Sequence, residues 1–310
     1  MKNIFTRTFA ILLAVVTAAG CVEETHPTGS TITSNQLEVS PNALQYMVNG
    51  IPSAMMASGT AGYASSYGYH ADFGIAGIHL MTESMLEDLT VSGDLGYWWF
   101  GAFTQNVSMG ADYIYCAYFW DCYYSWIKFA NEIILKAGEI DDNTDQTVIN
   151  ALGQAYAYRA MCYLDLARLF EAKPNKYTDV SGVLGLTVPL VTEATTEEAA
   201  TNNPRLPREE MYAFILSELE KAETYIDPSS KAYAKPSLGA VYGLYARTYI
   251  EMGAAGDAGA YALAAEYADK AITESGKTPL TQAQWEDPAN GFNNGAANNN
   301  AGADDNAIMK

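Results

Sequence analysis

Helix-period spacing of apolar residues dominates the chain. The longest run covers residues 148–170, where Leu152, Tyr156, Ala160, Tyr163, Leu164, Ala167 and Phe170 recur on one face. A second run follows Pro207, with Tyr212, Ile215, Leu216, Leu219, Ala222 and Ile226 on its face and Pro228 as its stop. Pro207 suits the first turn of that helix, where its missing N–H has no intrahelical partner, and Glu209 and Glu210 suit the positive N-terminal end. Leu238, Val241, Tyr242, Tyr245, Tyr249 and Met252 define a third helix. After a Gly253–Gly259 turn, Tyr261, Ala264, Ala265, Ala268, Ala271 and Ile272 define a fourth, closed by Gly276. Upstream, Tyr123, Ile127, Ala130, Ile134 and Ala137 predict a helix over 123–137, with the acidic turn Asp141–Thr144 capping the helix after it. A shorter helix starts at Ser40-Pro41-Asn42 and runs to Gly50-Ile51-Pro52, followed by a mixed helical segment through Met55 and Met56. Leu80 to Leu89 carries Glu83, Glu87 and Asp88 as a solvated helix face.

The two helices of about four turns joined by the Gly253–Gly259 turn predict an antiparallel hairpin of the tetratricopeptide kind. Their Ala residues allow close approach and their Tyr residues fill the gaps between layers. Between the helices lie irregular stretches: the Gly-, Ser- and Tyr-rich residues 59–79, residues 171–203 with an extended segment at Gly185–Val191, and the Asn-, Ala- and Gly-rich tail 290–306. The expected fold is therefore mainly α, with tetratricopeptide-like helical hairpins and long irregular loops.

The N-terminus reads as a targeting segment. Lys2 and Arg7 precede an apolar run, Phe9 to Ala19, too short to span a bilayer as a helix, which marks residues 1–20 as a signal peptide. Ala18-Ala19-Gly20-Cys21 resembles a bacterial lipobox, with Ala18 where leucine is usual. It predicts that Cys21 is lipidated and becomes the first mature residue, with residues 21–36 as a flexible tether rich in Thr, Ser, Gly and Pro. Glu23 and Glu24, close behind Cys21, look like a surface-export signal. Loss of residues 1–20 removes Lys2 and Arg7 but no acid, moving the formal charge from −19 to −21. Such a balance excludes nucleic acid as a partner, since phosphates need stripes of Lys and Arg, and it disfavours attraction to anionic lipid. Of the remaining cysteines, Cys116 and Cys122 fall on different faces of a helix, and with Cys162 they show no metal-binding spacing.

Catalytic chemistry has little to stand on. His26 lies in the tether, and His70 and His79 are not at any metal-site spacing. His70 with Asp72 reads as an ordinary loop histidine before it reads as an acid–base pair. No nucleophile elbow, phosphate loop or dinucleotide fingerprint is present, so no cofactor and no metal is expected. The binding candidate is Tyr97-Trp98-Trp99, in a loop bounded by Gly93, Gly96 and Gly101. Indole and phenol faces stack on the apolar C–H faces of sugar rings, while Gln105, Asn106 and Asp94 offer a polar edge for hydroxyls. Each of these aromatics has a second reading as core or interface packing, the same reading that takes most of the 22 Tyr and five Trp of the chain.

Several stretches carry a family resemblance when taken in order. They are Tyr124–Ile134, with its Ala130-Asn131; Tyr158-Arg159-Ala160 running to Arg168-Leu169-Phe170; the extended Gly185–Val191; Pro204-Arg205-Leu206-Pro207-Arg208; Ile215–Ala222; Tyr245–Ile250; and Ala268–Ile272. Together they resemble the SusD/RagB family of outer-membrane nutrient-binding lipoproteins. That resemblance covers nearly all of residues 37–310, and it implies a SusD-like helical domain incomplete at its C-terminus. It further implies a non-catalytic surface lipoprotein, lipid-anchored in the outer membrane, that captures an oligosaccharide or polysaccharide through loop aromatics. The glycan would pass to a SusC-like TonB-dependent transporter, its partner. Two alternatives remain: a peptide or glycopeptide ligand, and a helical scaffold with no small-molecule site.

Overall fold

The computed structural model describes residues 42–57, 74–85, 113–230, 235–278 and 280–286. Their fold is helical: α1 (Ala43–Met56), α2 (Gly74–Ser84), α3 (Ile114–Ala137), α4 (Gln146–Phe170), α5 (Glu197–Thr201), α6 (Arg208–Tyr225), α7 (Leu238–Ala254), α8 (Ala260–Ser275) and α9 (Gln282–Glu286). Two short strands, β1 (Leu186–Pro189) and β2 (Arg205–Pro207), pair antiparallel with Leu186 opposite Pro207. All of these except Ala43 lie in one compact unit, Leu44–Lys310.

α4 is the hub. It is buried from Ala151 to Ala167 on nearly every side, because α3, α6, α7 and β1 all pack on it. Of the face expected from spacing, Leu152, Ala160, Tyr163, Leu164 and Ala167 are buried and Tyr156 and Phe170 half-buried, and the intervening Ala157, Tyr158 and Arg159 are buried too, as a helix surrounded by others requires. Asp145, just beyond the Asp141–Thr144 turn, provides the cap: its Oδ1 accepts from the Thr147 N–H at 2.7 Å. Helix α3 runs antiparallel to α4, since Tyr123 meets Asp165 while Asn131 meets Arg159. It begins at Ile114, nine residues before the expected Tyr123. Tyr115, Tyr118 and Phe119 are therefore core residues on a helix.

The α7–α8 hairpin is as expected, and its seam is made by small residues. A Cβ on Gly253 would lie 2.7 Å from the Tyr261 ring, and one on Gly239 would lie 3.4 Å from the Ser275 nitrogen. The start of each helix thus abuts the end of the other. Gly276 ends α8 in the left-handed conformation, φ 63°. The predicted face of α8 needs correction. Ala264 is buried and Ala268 and Ala271 half-buried, but Tyr261, Ala265 and Ile272 are exposed, because among the described residues α8 packs chiefly on α7 and leaves its other faces to solvent.

Other boundaries shift for local reasons. Pro52 lies inside α1, so the two predicted segments form one helix in which the Val48 carbonyl simply loses one donor. Helix α2 starts at Gly74, inside the stretch read as loop. A Cβ there would sit 2.0 Å from the Met55 carbonyl oxygen, and φ is +62°. Pro207 closes β2 and caps α6 from outside instead of occupying its first turn.

One buried polar knot ties the irregular Pro189–Glu193 segment to three helices. Arg159, 1% exposed, donates from Nε to Glu218 Oε2 at 2.6 Å and from Nη1 to Asn131 Oδ1 at 2.7 Å, and Nη1 also pairs with Glu193. Its guanidinium lies over the Tyr156 and Phe214 rings. Asn131 returns a bond from Nδ2 to the Val191 carbonyl, and the Tyr163 hydroxyl both donates to Val191 O and accepts from Val191 N–H, at 2.7 and 2.8 Å. Burial works against the charge of Glu193, but its bond to Arg159 outweighs burial and holds its carboxyl below the usual range.

Two sets of outcomes follow for urea unfolding. Gly153→Ala puts a Cβ 2.7 Å from the Ile226 nitrogen and is expected to lower stability by about 1–3 kcal/mol, whereas Gly243→Ala, with open space around it, raises it by roughly 0.4–1 kcal/mol. Arg159→Leu leaves the buried Glu218 carboxylate with the Lys221 ammonium, 3.1 Å from its Oε1, as its remaining charged partner, and is expected to cost about 3 kcal/mol, the lower end for a broken buried pair. Because the folded pKa of Glu193 is lowered, its contribution is complete above the unfolded value of about 4.3 and lost as pH falls through the folded value. Glu193→Gln should therefore lose stability less steeply than the parent as pH falls through that range.

Candidate functional site

The ligand contacts expected from the sequence, Tyr97, Trp98, Trp99, Gln105 and Asn106, lie outside the described residues, as do Cys21, Asp94 and His70. The structure places the helices on either side of the aromatic block: α2, ending at Ser84, and α3, entered through an exposed Tyr113. His79 and Glu83 are exposed on α2, Glu83 as expected of a solvated helix face. Among the described residues no disulfide joins Cys116, Cys122 and Cys162, the last two of which are buried.

Three features sit on the helical frame. The first is a groove of about 340 Å³ between α3 and the segment after β1, walled by Tyr124, Ile127, Leu135 and Val191 and edged by Thr192 and Glu193. Tyr124 donates its hydroxyl to the Pro189 carbonyl at 2.6 Å, and burial pushes its pKa up. Trp120 tilts against Tyr124, with centroids 4.9 Å apart, and meets Phe170 edge-on at 5.2 Å. The groove's inner polar groups, Asn131 and Glu193, already serve the Arg159 knot. Sequence spacing gives no sign of this wall, because Trp120 reads there as one of many aromatics.

The second is a tyrosine stack across α7 and α8. Tyr267 lies against Tyr245 at 4.3 Å and Tyr249 at 5.6 Å, near-parallel to both, with the Lys270 ammonium 4.3 Å above its ring. Burial, then Glu223, raises the Tyr245 pKa. These phenols hold the hairpin together by stacking faces that are consequently occupied.

The third is a cavity of about 290 Å³ where α4 ends, α6 begins and α7 ends, lined by Glu171, Lys173, Pro174, Leu184, Arg208, Glu251, Ala254 and Ala255. Ion pairs frame it. Arg208 Nη1 lies 2.9 Å from Glu171 Oε1, Arg168 donates to Glu251 at 2.8 Å, and Arg247 donates to Asp165 at 2.7 Å.

Comparison with known proteins places this frame. A family model described as SusD-like, "Starch-binding associating with outer membrane", matches residues 65–250. A SusD-like protein of Formosa agariphila is 30% identical over 174 residues, 56% of this chain and 31% of that protein. Among solved structures, a SusD-like carbohydrate-binding protein of Bacteroides vulgatus superposes with a TM-score of 0.59 at 20% identity, covering 78% of this chain and 46% of its own. A SusD superfamily protein of Parabacteroides distasonis gives 0.55 at 20% identity, covering 81% and 47%. The chain thus spans less than half the length of these relatives. Matched by the family model through its helical core and sharing the fold of solved members, the chain belongs to the SusD-like family.

Proposed function

We propose that this chain captures an oligosaccharide or polysaccharide at the outer membrane, without turning it over, and delivers it to a SusC-like TonB-dependent transporter. The observation that carries the reading is the family match over residues 65–250, whose description joins starch binding to the outer membrane. The relatives named carbohydrate-binding share its helical frame. On this reading residues 1–20 are a signal peptide, Cys21 carries the lipid, residues 21–36 tether the domain, and the domain faces outward. A lipid is also an anchor that needs no spanning helix; no described helix is long and apolar enough to cross a membrane. The helical hairpins serve as the transporter-facing scaffold. Tyr97, Trp98 and Trp99 stack on sugar rings while Gln105 and Asn106 take hydroxyls.

Native gels cast with a panel of polysaccharides test it, using the chain from residue 22 onward. Retardation by at least one polymer is expected. Trp98→Ala or Trp99→Ala should weaken it by about tenfold or more, as loss of an aromatic anchor does. Retardation by none of them would overturn glycan capture, and binding of a peptide panel in its place would make the ligand a peptide.

A further inference from the structure

The cavity at the end of α4 is lined by charges of both signs. The chain carries a formal charge of −19, yet here two carboxylates, Glu171 and Glu251, are balanced by Arg208 and Lys173. A lone anion placed inside would meet both acids, and a lone cation both bases. The remaining wall is aliphatic, chiefly Pro174 and Leu184.

Its inner pair has hydrogen-bonding capacity left over. The Glu171 side chain is 2% exposed; its Oε1 is ion-paired with Arg208 Nη1 at 2.9 Å, and Arg208 Nε lies 3.6 Å from the exposed Glu209 carboxylate, but neither that oxygen nor that Nε makes a hydrogen bond. Buried polar atoms in folded proteins nearly always make a hydrogen bond, so an ion pair beside a cavity that leaves two atoms without one offers both to a ligand. The guanidinium is held in place from behind. Arg208 N–H donates to the Gly185 carbonyl at 2.9 Å, and a Cβ on Gly185 would lie 3.2 Å from Arg208 Nη2.

A hydroxyl both donates and accepts, so a vicinal pair on a sugar ring satisfies a carboxylate oxygen and a guanidinium N–H together. The ring's C–H face suits the Pro174 and Leu184 wall. At about 290 Å³ the cavity lies just below the usual range for ligand sites, about 300–1,000 Å³, a size suited to a single ring. From these observations we infer that the cavity is a subsite for a single neutral sugar ring, sharing no residue with the Tyr97–Asn106 block. The choice of sugar among neutral polyols rests on the glycan reading above; the cavity, its charge balance and its two atoms without a hydrogen bond do not.

Amide NMR titration of the whole chain with glucose, galactose and mannose, and separately with glycine as a zwitterion, tests the subsite. The expected result is a saturable shift of the Leu184, Ala254 and Ala255 amides with at least one sugar. Leu184→Trp, built at a half-exposed position to fill the cavity, should weaken it about tenfold or more while leaving helix content unchanged. Trp98→Ala should leave it intact. No shift at these amides, a shift that survives Leu184→Trp, or a shift with glycine alone would each overturn the subsite. Pocket shifts in a chain that no polysaccharide retards keep the subsite and remove the capture function; retardation without pocket shifts does the reverse.

Discussion

A guanidinium cannot give up its proton inside a protein, so burying one obliges the fold to surround it with acceptors. Arg159 sits in the middle of the central helix and is met by Glu218 from α6, Asn131 from α3 and Glu193 from the segment after β1. Each acceptor comes from a different part of the chain. A slip of either neighbouring helix along α4 would leave a charge or an amide unmatched in the core, at a cost larger than most single contacts return. Aliphatic packing alone tolerates such slips much better, since one methyl group replaces another at little cost. The knot therefore fixes helix register.

That register has consequences on the surface. With α3, α4 and α6 locked, the backbone from the last residue of β1 onward is fastened at three successive points, Pro189, Leu190 and Val191, by Tyr124, Asn203 and by Asn131 with Tyr163. An irregular segment thereby acquires the definition of a strand, and one wall of the α3 groove with it. At the other end of α4 a second set of charges, Glu171 with Arg208 and Arg168 with Glu251, joins the starts and ends of α6 and α7. Within the hairpin, α7 and α8 are held to each other differently, through glycine contacts and stacked tyrosines. A frame built in this way gives loops fixed points of departure, which a capture protein needs if recognition is to reside in its loops.

Much of the frame was legible in the sequence because long amphipathic spacing is a strong signal: the faces expected of α4 and α6 are mostly buried, whereas on α7 Leu238, Val241 and Tyr245 are buried and Tyr242, Tyr249 and Met252 only partly so. Helix starts were less legible. Tyr113 to Trp120 is so dense in aromatics that no polar face marks it as helical, and Gly74 opens α2 from within a Gly-rich stretch. On α8, apolar residues occur on more faces than the one that packs, so Tyr261 and Ile272 looked internal and are exposed. The knot was hidden for the opposite reason. Glu218 stands in Ser217-Glu218-Leu219-Glu220-Lys221, which reads as a solvated face, yet its side chain is fully buried. Only the meeting of α6 with α4 shows that it answers Arg159. Of the candidate site, the sequence supplied an aromatic block by composition; the groove and cavity on the helical frame are products of tertiary packing, and no local spacing encodes them.

Hydrogen exchange at the Val191 amide tests most directly whether Arg159 fastens the irregular segment to the helices. That amide donates to the Tyr163 hydroxyl, away from any helix or strand ladder. In the parent chain it is expected to exchange only through openings nearly as rare as those of the α4 interior. In Glu193→Gln, which weakens the knot without stranding a charge, Val191 should exchange at least about tenfold faster while the Leu164 and Leu166 amides keep their protection. Unchanged protection at Val191 would contradict the tie and assign the segment's order to aliphatic packing alone.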